Sequence, residues 1–104
     1  MTYHLTVLYH RPEDPAAFDE YYATTHAPLA ARLPGLSGYT SVRPGQDPAG
    51  NDPAEYLVAT LVFPDEQAFR EAMASPEGRA TAVDLRQFAS GGVTMLTGEA
   101  TAYV

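Results

Sequence analysis

The spacing of hydrophobic residues along the chain changes between a period of two, typical of strands, and the spacing of a helix. The predicted elements follow in the order β, α, β, β, α, β. Alternation with a period of two predicts strands at residues 3–10, 39–43, 56–63 and 93–104, and helical spacing follows Asp14 and Asp65. Strand–helix–strand crossovers are right-handed, so this order places both helical segments on one face of an antiparallel sheet. The pattern therefore predicts an α+β fold, a ferredoxin-like βαββαβ sandwich.

The strand predicted at residues 56–63 is apolar on both faces. Its alternating sets are Tyr56, Val58 and Val62 on one side and Leu57, Ala59, Leu61 and Phe63 on the other. Such a strand is covered on both sides, although both helices lie on one face. A second copy packed sheet to sheet would cover the other face, which predicts a homodimer; the alternative is a monomer with one wetter face. We expect the long last strand, with Gly98 as a bulge or bend, to reach the partner's edge.

Length and composition limit the possible functions. The 104 residues fit a single domain spanning residues 1–104. The net charge is -7 and all six basic residues are arginines without a run, so we expect no nucleic-acid partner and no membrane partner. We find no apolar run near the roughly 20 residues of a membrane span and no signal region, which favours a cytoplasmic protein. The lack of cysteine removes disulfides, thiolate nucleophiles and cysteine-ligated metals.

A proline interrupts the first predicted helix. Asp14 and Pro15 supply the N-cap and the first helical residue. Pro28 has no N–H and its ring crowds the preceding turn, so we expect the helix to end at about His26. A short second helical piece is expected at residues 29–33. His26 would then lie at a frayed helix C-terminus.

His26 is the candidate acid or base, because the proton affinity of an imidazole is easily tuned near neutral pH. The helix returns antiparallel to the first strand, which brings His26 to the level of Tyr3 and Tyr39, with Tyr22 one turn away. Such a site could move a proton on a carbonyl, phenol or lactone. Alternatively, His26 caps free carbonyls and the tyrosines are ordinary core aromatics. No carboxylate partner is evident, and Asp84 is expected to be solvated or to cap.

We expect neither a metal nor a nucleotide cofactor. His4 and His10 stand at opposite ends of the first strand, about 20 Å apart at roughly 3.3 Å per residue. The three histidines therefore cannot form one metal cluster. The chain also has no Gly-x-Gly-x-x-Gly or Walker-type loop to cradle phosphates.

Motifs spread over nearly the whole chain resemble those of a known family. They are Asp14-Pro15, Phe18, Tyr21-Tyr22, His26, Pro28-Leu29, Leu33-Pro34-Gly35, Ser75-Pro76-Glu77-Gly78, Asp84, Phe88 and Gly92. Together they are similar to the EthD-like family of the dimeric α+β barrel superfamily. The resemblance implies two ferredoxin-like sheets that face each other, with a small-molecule pocket in each subunit between the sheet and its helices.

The resemblance implies small-molecule chemistry of several kinds. Relatives include lactone isomerases and cofactor-free oxygenases or cyclases, and many members are labelled reductases. The isomerase branch has additional histidine and cysteine residues beside the shared histidine, whereas this chain has no cysteine, which argues against isomerase chemistry. We therefore predict a cofactor-independent enzyme for a small carbonyl, phenolic or lactone metabolite; the alternative is a non-catalytic binding or accessory protein serving an oxidative enzyme. The predicted catalytic residues are His26 and Tyr39, and the predicted substrate-binding residues are Phe18, Tyr22, Leu29 and Phe88.

Overall fold

The computed structural model describes residues 1–104. Its elements are β1 (Tyr3–Tyr9), α1 (Pro15–Tyr21), a π-helical turn (Tyr22–His26), α2 (Ala27–Ala30), β2 (Gly38–Val42), β3 (Leu57–Phe63), α3 (Glu66–Ala74), α4 (Pro76–Phe88) and β4 (Val93–Glu99). The strands form one antiparallel sheet in the order β2-β3-β1-β4. This topology confirms the predicted ferredoxin-like α+β fold. None of the helices has the length and apolar character needed to cross a membrane.

The core lies between the sheet and the helices. The inward-facing residues of the two central strands are buried: Leu5, Val7 and Tyr9 on β1, and Leu57, Ala59, Leu61 and Phe63 on β3. No helix covers the opposite face, where Val42 and Leu96 are 59% and 56% exposed. Within β3 the alternation predicted from sequence correctly separates a helix-covered face from an open one. Tyr56, which was assigned to the outer set, precedes β3, and its ring lies 5.5 Å from that of Phe18 on α1.

Side-chain caps begin three helices, and the caps at Asp14 and Asp65 lie where the sequence predicts a helix to start. Asp14, Asp65 and Ser75 each accept a hydrogen bond from the backbone N–H three residues later, at 3.1, 2.8 and 3.0 Å. Each cap satisfies an N–H that has no partner within its helix. Because Ser75 also follows the last residue of α3, α3 and α4 meet at a single residue.

Pro28 does not end the helix, contrary to expectation. α1, the π-helical turn and α2 follow without a break, and the N–H of Ala27 donates to the carbonyl of Tyr22, five residues earlier. The wider turn accommodates a proline ring that would crowd the carbonyl four residues before it in a regular α-helix. His26 therefore has helical backbone angles (φ -72°, ψ -47°) and lies within the helical segment. α2 takes the place of the piece expected at residues 29–33.

The last strand is shorter and more regular than expected. β4 ends at Glu99 and has seven residues, as do β1 and β3, and residues 100–104 lie outside it. Its register with β1 continues through Gly98, which pairs with His4, so the predicted bulge is wrong. A bulge needs an extra residue on one strand, whereas β1 and β4 pair residue for residue.

Candidate active site

An apolar cavity lies between the sheet and the helices. It has a volume of about 110 Å³, and twelve of its fifteen lining residues are hydrophobic. An engineered apolar cavity of roughly 150 Å³ takes up benzene, so this cavity suits about one small ring. The lining residues with polar side-chain groups are Tyr9, His26, Tyr39 and Thr81. The Thr81 hydroxyl already donates to the carbonyl of Glu77 at 2.8 Å, which leaves the other three as candidates for ligand contact.

His26 and Asp84 form a hydrogen-bonded pair at this cavity. Nδ1 of His26 lies 2.9 Å from Oδ2 of Asp84, and the two side chains are 5% and 12% exposed. An ionised carboxylate only accepts hydrogen bonds, so Nδ1 carries the proton and Nε2 is left as an acceptor. The hydroxyl of Tyr21 donates to Oδ1 of Asp84 at 2.5 Å. Asp84 is thereby fixed through both oxygens and holds the imidazole in one tautomer.

Nε2 of His26 has no hydrogen-bond partner within the chain. Yet the chain has no side-chain nitrogen or oxygen that is both fully buried and unpaired. Nε2 therefore keeps accessible surface, and His26 lines the cavity. Burial lowers the pKa of His26. The hydrogen bond and the charge of Asp84 raise this pKa, but burial is the larger effect, so the pKa is lowered overall. The result is an imidazole that is neutral at pH 7 and can accept a proton.

A second hydrogen-bonded pair joins the helical segment to the sheet. The hydroxyl oxygens of Tyr22 and Tyr39 lie 2.5 Å apart, and Tyr39 lines the cavity from β2. Burial raises the pKa of both phenols, while their shared hydrogen bond raises that of Tyr22 further and offsets part of the rise at Tyr39. Either hydroxyl can be the donor of this bond, so the pair keeps one phenolic proton that is not used within it.

The aromatic residues predicted to bind substrate, Phe18, Tyr22 and Phe88, lie near His26 but do not line the cavity. The ring of Phe88 lies 4.6 Å from the imidazole, and the ring of Tyr22 lies 5.6 Å from it. Phe18 stacks on Tyr22 at 6.0 Å. Phe88 and Tyr22 therefore pack against the imidazole, and Phe18 supports Tyr22.

Two neighbours expected of the site lie elsewhere. Leu29 is half-buried and does not line the cavity, which Ala30 and Leu33 line instead. The π-helical turn contains one extra residue, which rotates the following residues relative to a regular α-helix. Tyr3 is not part of the cavity wall, because its ring packs against Phe69 at 5.2 Å.

Sequence reasoning missed two residues of the site, Asp84 and Tyr9. Asp84 was expected to be solvated or to cap, yet it lies one turn before Phe88 on α4, which places it on the face of a predicted site residue. Tyr9 follows Leu5 and Val7 in the alternation of β1 and shares their inward face. The signal available from the sequence is its hydroxyl, the only polar side-chain group on that face besides the hydroxyl of Tyr3.

The other two histidines lie outside the site. Nε2 of His4 is 3.1 Å from Oγ1 of Thr2, and Nε2 of His10 is 3.2 Å from Oγ1 of Thr94. The structure contains no group of three or more histidine, aspartate or glutamate side chains placed to hold a metal ion.

Fold and site together define a ferredoxin-like α+β protein with an apolar cavity whose wall includes His26, the hydrogen-bond partner of Asp84. A family model described as the EthD domain matches residues 10–92, and the chain belongs to the EthD family. A relative from Rhodococcus erythropolis, described as an uncharacterised 11.0 kDa protein in the thcB–thcC intergenic region, is 43% identical over 94 residues. The match covers 90% of this chain and 90% of the relative.

Three solved structures extend the comparison. An EthD family protein from Bacillus halodurans is 37% identical with a TM-score of 0.90, over 97% of this chain and 100% of that chain. SnoaB, a cofactor-independent oxygenase from Streptomyces nogalater, is 27% identical with a TM-score of 0.58, over 99% and 96% of the two chains. A dimeric ferredoxin-like protein of unknown function from Thermobifida fusca is 18% identical with a TM-score of 0.69, over 94% and 90%. The last likeness concerns the fold alone.

Proposed function

We propose that the protein is a cofactor-independent enzyme that moves a proton on a small carbonyl, phenolic or lactone metabolite, with His26 as the acid or base. The observation that carries the proposal is the 2.9 Å hydrogen bond from Nδ1 of His26 to Asp84, which leaves Nε2 free at an apolar cavity. A histidine that only filled space in the core would need no carboxylate partner to fix its tautomer.

The chain's own groups supply each part of such a transfer. Nε2 of His26 accepts a proton from a C–H or O–H of the substrate, and the negative charge of Asp84 stabilises the imidazolium that forms. The hydroxyl of Tyr39 donates a hydrogen bond to the substrate oxygen on which negative charge develops. The apolar walls limit water, so these charge interactions are stronger than in solvent. Return of the proton to another atom of the substrate completes an isomerisation.

Cofactor independence is supported by one of the comparisons. SnoaB, 27% identical over nearly the whole chain, is described as a cofactor-independent oxygenase. An acidic C–H or O–H removed by a histidine would give an electron-rich substrate anion, the kind of species on which proton transfer and oxygenation both depend. The cavity volume of about 110 Å³ favours a substrate with about one ring.

We also propose that the protein is a homodimer that buries the open face of the sheet. The apolar residues of that face are Leu8, Val42, Val58, Val62 and Leu96. Two of them are more than half exposed in the single chain, and apolar surface of this kind favours association. The Thermobifida fusca protein of the same fold is described as dimeric. The dimer would be the α+β barrel expected from the family resemblance.

The function is tested by hydrogen exchange at carbon. Cyclohexanone and δ-valerolactone are single-ring probes with an acidic C–H beside a carbonyl, and a proton-transferring enzyme should speed the entry of deuterium from D₂O at that carbon. His26→Gln keeps a polar side chain but cannot act as a base near neutral pH. The variant should keep its circular dichroism spectrum and lose a factor of about 10² to 10⁴ in exchange rate.

The control is Tyr56→Phe, which removes a hydroxyl outside the cavity, bonded to Asp19. Exchange catalysed equally by wild type and His26→Gln would refute the role of His26. Binding of the probes without catalysed exchange would instead support the alternative, a non-catalytic binding or accessory protein.

A further inference from the structure

Tyr9 is a buried tyrosine at the cavity that the proposed reaction does not use. It is 2% exposed and belongs with Phe63 to the largest fully buried side chains of the chain. Its ring is held by Phe18, Tyr22 and Phe88, with centroids 5.4, 5.6 and 5.9 Å away. Packing of the ring at the C-terminal end of β1 therefore fixes the position of the hydroxyl.

The hydroxyl of Tyr9 has no hydrogen-bond partner within the chain. Since no side-chain nitrogen or oxygen is both fully buried and unpaired, this oxygen keeps accessible surface, and Tyr9 lines the same cavity as His26. A polar group that finds no hydrogen-bond partner in an apolar setting is destabilising. Phenylalanine would fill the same space, so what tyrosine adds at this position is a polar group.

Most other polar groups around the cavity already bond to each other. Tyr21 and His26 both donate to Asp84, and Tyr22 pairs with Tyr39. The groups left for a ligand are the Tyr9 hydroxyl, Nε2 of His26 and one phenolic proton of the Tyr22–Tyr39 pair. The hydroxyl of a ligand placed within reach of these groups can accept a hydrogen bond from a phenol and donate one to Nε2 of the imidazole.

The Tyr9 hydroxyl stays protonated at physiological pH. Burial raises its pKa, and the neighbouring oxygens of Tyr39 and Asp84 raise it further. The group is therefore a neutral hydrogen-bond donor, and it cannot serve as the base of the reaction.

We propose that the Tyr9 hydroxyl binds an oxygen of the ligand, so that the cavity selects single-ring compounds bearing a phenol or carbonyl oxygen over hydrocarbon rings of equal size. This inference rests on the proposed function, because it assigns the substrate class of the same cavity. Tyr9 and His26 then have separate tasks, since Tyr9 holds the ligand oxygen and His26 exchanges the proton.

The experiment compares 4-fluorophenol with fluorobenzene, which differ by one hydroxyl, using fluorine NMR to measure affinity. Wild type should bind 4-fluorophenol at least fivefold more tightly than fluorobenzene. Tyr9→Phe removes one oxygen atom and should weaken 4-fluorophenol binding about five- to tenfold, the usual effect of one hydrogen bond. Its affinity for fluorobenzene should stay the same, which also shows that the cavity remains folded. Tyr56→Phe should match wild type with both probes.

The outcomes separate the two proposals. Equal affinity of Tyr9→Phe and wild type for 4-fluorophenol would overturn the inference, while a loss of carbon exchange in His26→Gln would leave the proposed function standing. A selective loss in Tyr9→Phe with normal exchange in His26→Gln would support the Tyr9 assignment and refute the proposed base. If wild type does not prefer 4-fluorophenol over fluorobenzene, or binds neither, the assigned ligand class is wrong.

Discussion

Nδ1 of His26 and Oδ2 of Asp84 lie 2.9 Å apart, although 58 positions separate the two residues in the chain. The π-helical turn directs the imidazole towards α4, and Tyr21 holds the other carboxylate oxygen. Asp84 acts through the imidazole and is a positioning residue in the proposed reaction. Its contribution can be measured separately from that of His26.

Replacement of Asp84 by asparagine should lower both the pKa of His26 and the rate of exchange. The amide oxygen can still accept from Nδ1, but the negative charge that raises the pKa of His26 is gone. NMR titration of the imidazole should therefore give a midpoint below that of wild type, with deuterium exchange into cyclohexanone reduced about tenfold or more. Tyr21→Phe keeps the charge and is the control. An unchanged midpoint in Asp84→Asn would contradict the pairing.

His26 should make the protein less stable in acid. Burial lowers its folded-state pKa below the ordinary 6.5, so in more acidic solution the unfolded chain binds a proton that the folded chain does not. The corresponding stability is fully present above the unfolded pKa and is lost as the pH falls from 6.5 towards the folded pKa. Urea unfolding between pH 8 and pH 5 should show a smaller loss for His26→Gln than for wild type. Parallel curves would rule out this linkage.

The Tyr22–Tyr39 hydrogen bond should appear as a coupling in a double-mutant cycle. The hydroxyls of Tyr22 and Tyr39 lie 2.5 Å apart, and either Tyr22→Phe or Tyr39→Phe alone breaks the bond between them. The second substitution in the double variant therefore costs no further stability from this bond. The free energies of unfolding should be non-additive by about 0.5–1.5 kcal/mol. Strict additivity in urea titrations would show that the contact contributes nothing to stability.

Gly78 should tolerate no side chain. A Cβ there would lie 2.2 Å from the backbone oxygen of Ala72 and 2.7 Å from that of Met73, and neither can move without separating α3 from α4. Gly78→Ala should cost more than about 2 kcal/mol, although alanine favours a helix by roughly 1 kcal/mol. Gly45→Ala is the matched control, since nothing lies within 4 Å of a Cβ there. Equal unfolding midpoints for the two variants would disprove the close helix contact.

A charge on the open sheet face should dissociate the proposed dimer. Leu96 is 56% exposed on that face, and Val83 is 47% exposed on α4 in the helical layer. Sedimentation at micromolar concentration should show a dimer for wild type and for Val83→Glu, but a monomer for Leu96→Glu, because burying an unpaired carboxylate is costly. A wild type that sediments only as a monomer would refute the dimer.

Local patterns in the sequence determined the framework of this protein. Alternation in residues 56–63 predicted both the buried set and the apolar outer set of β3, and short-range caps such as Asp14 fixed where helices begin. These features depend on residues within one turn or one strand, so no knowledge of packing is needed to find them. The resemblance to the EthD family and the position of His26 were likewise available from the sequence.

Only the tertiary structure decided what His26 contacts. Projecting the sequence onto a regular α-helix, at 100° per residue, does not reveal the π-helical turn that lets the helical segment continue past Pro28. That turn brings Ala30 rather than Leu29 to the cavity. Nor can the sequence show that Asp84 reaches the imidazole, because α4 meets the first helical segment only after both crossovers have packed on the sheet. Hydrogen bonds between distant residues depend on that packing to within a fraction of an ångström, whereas hydrophobic periodicity does not.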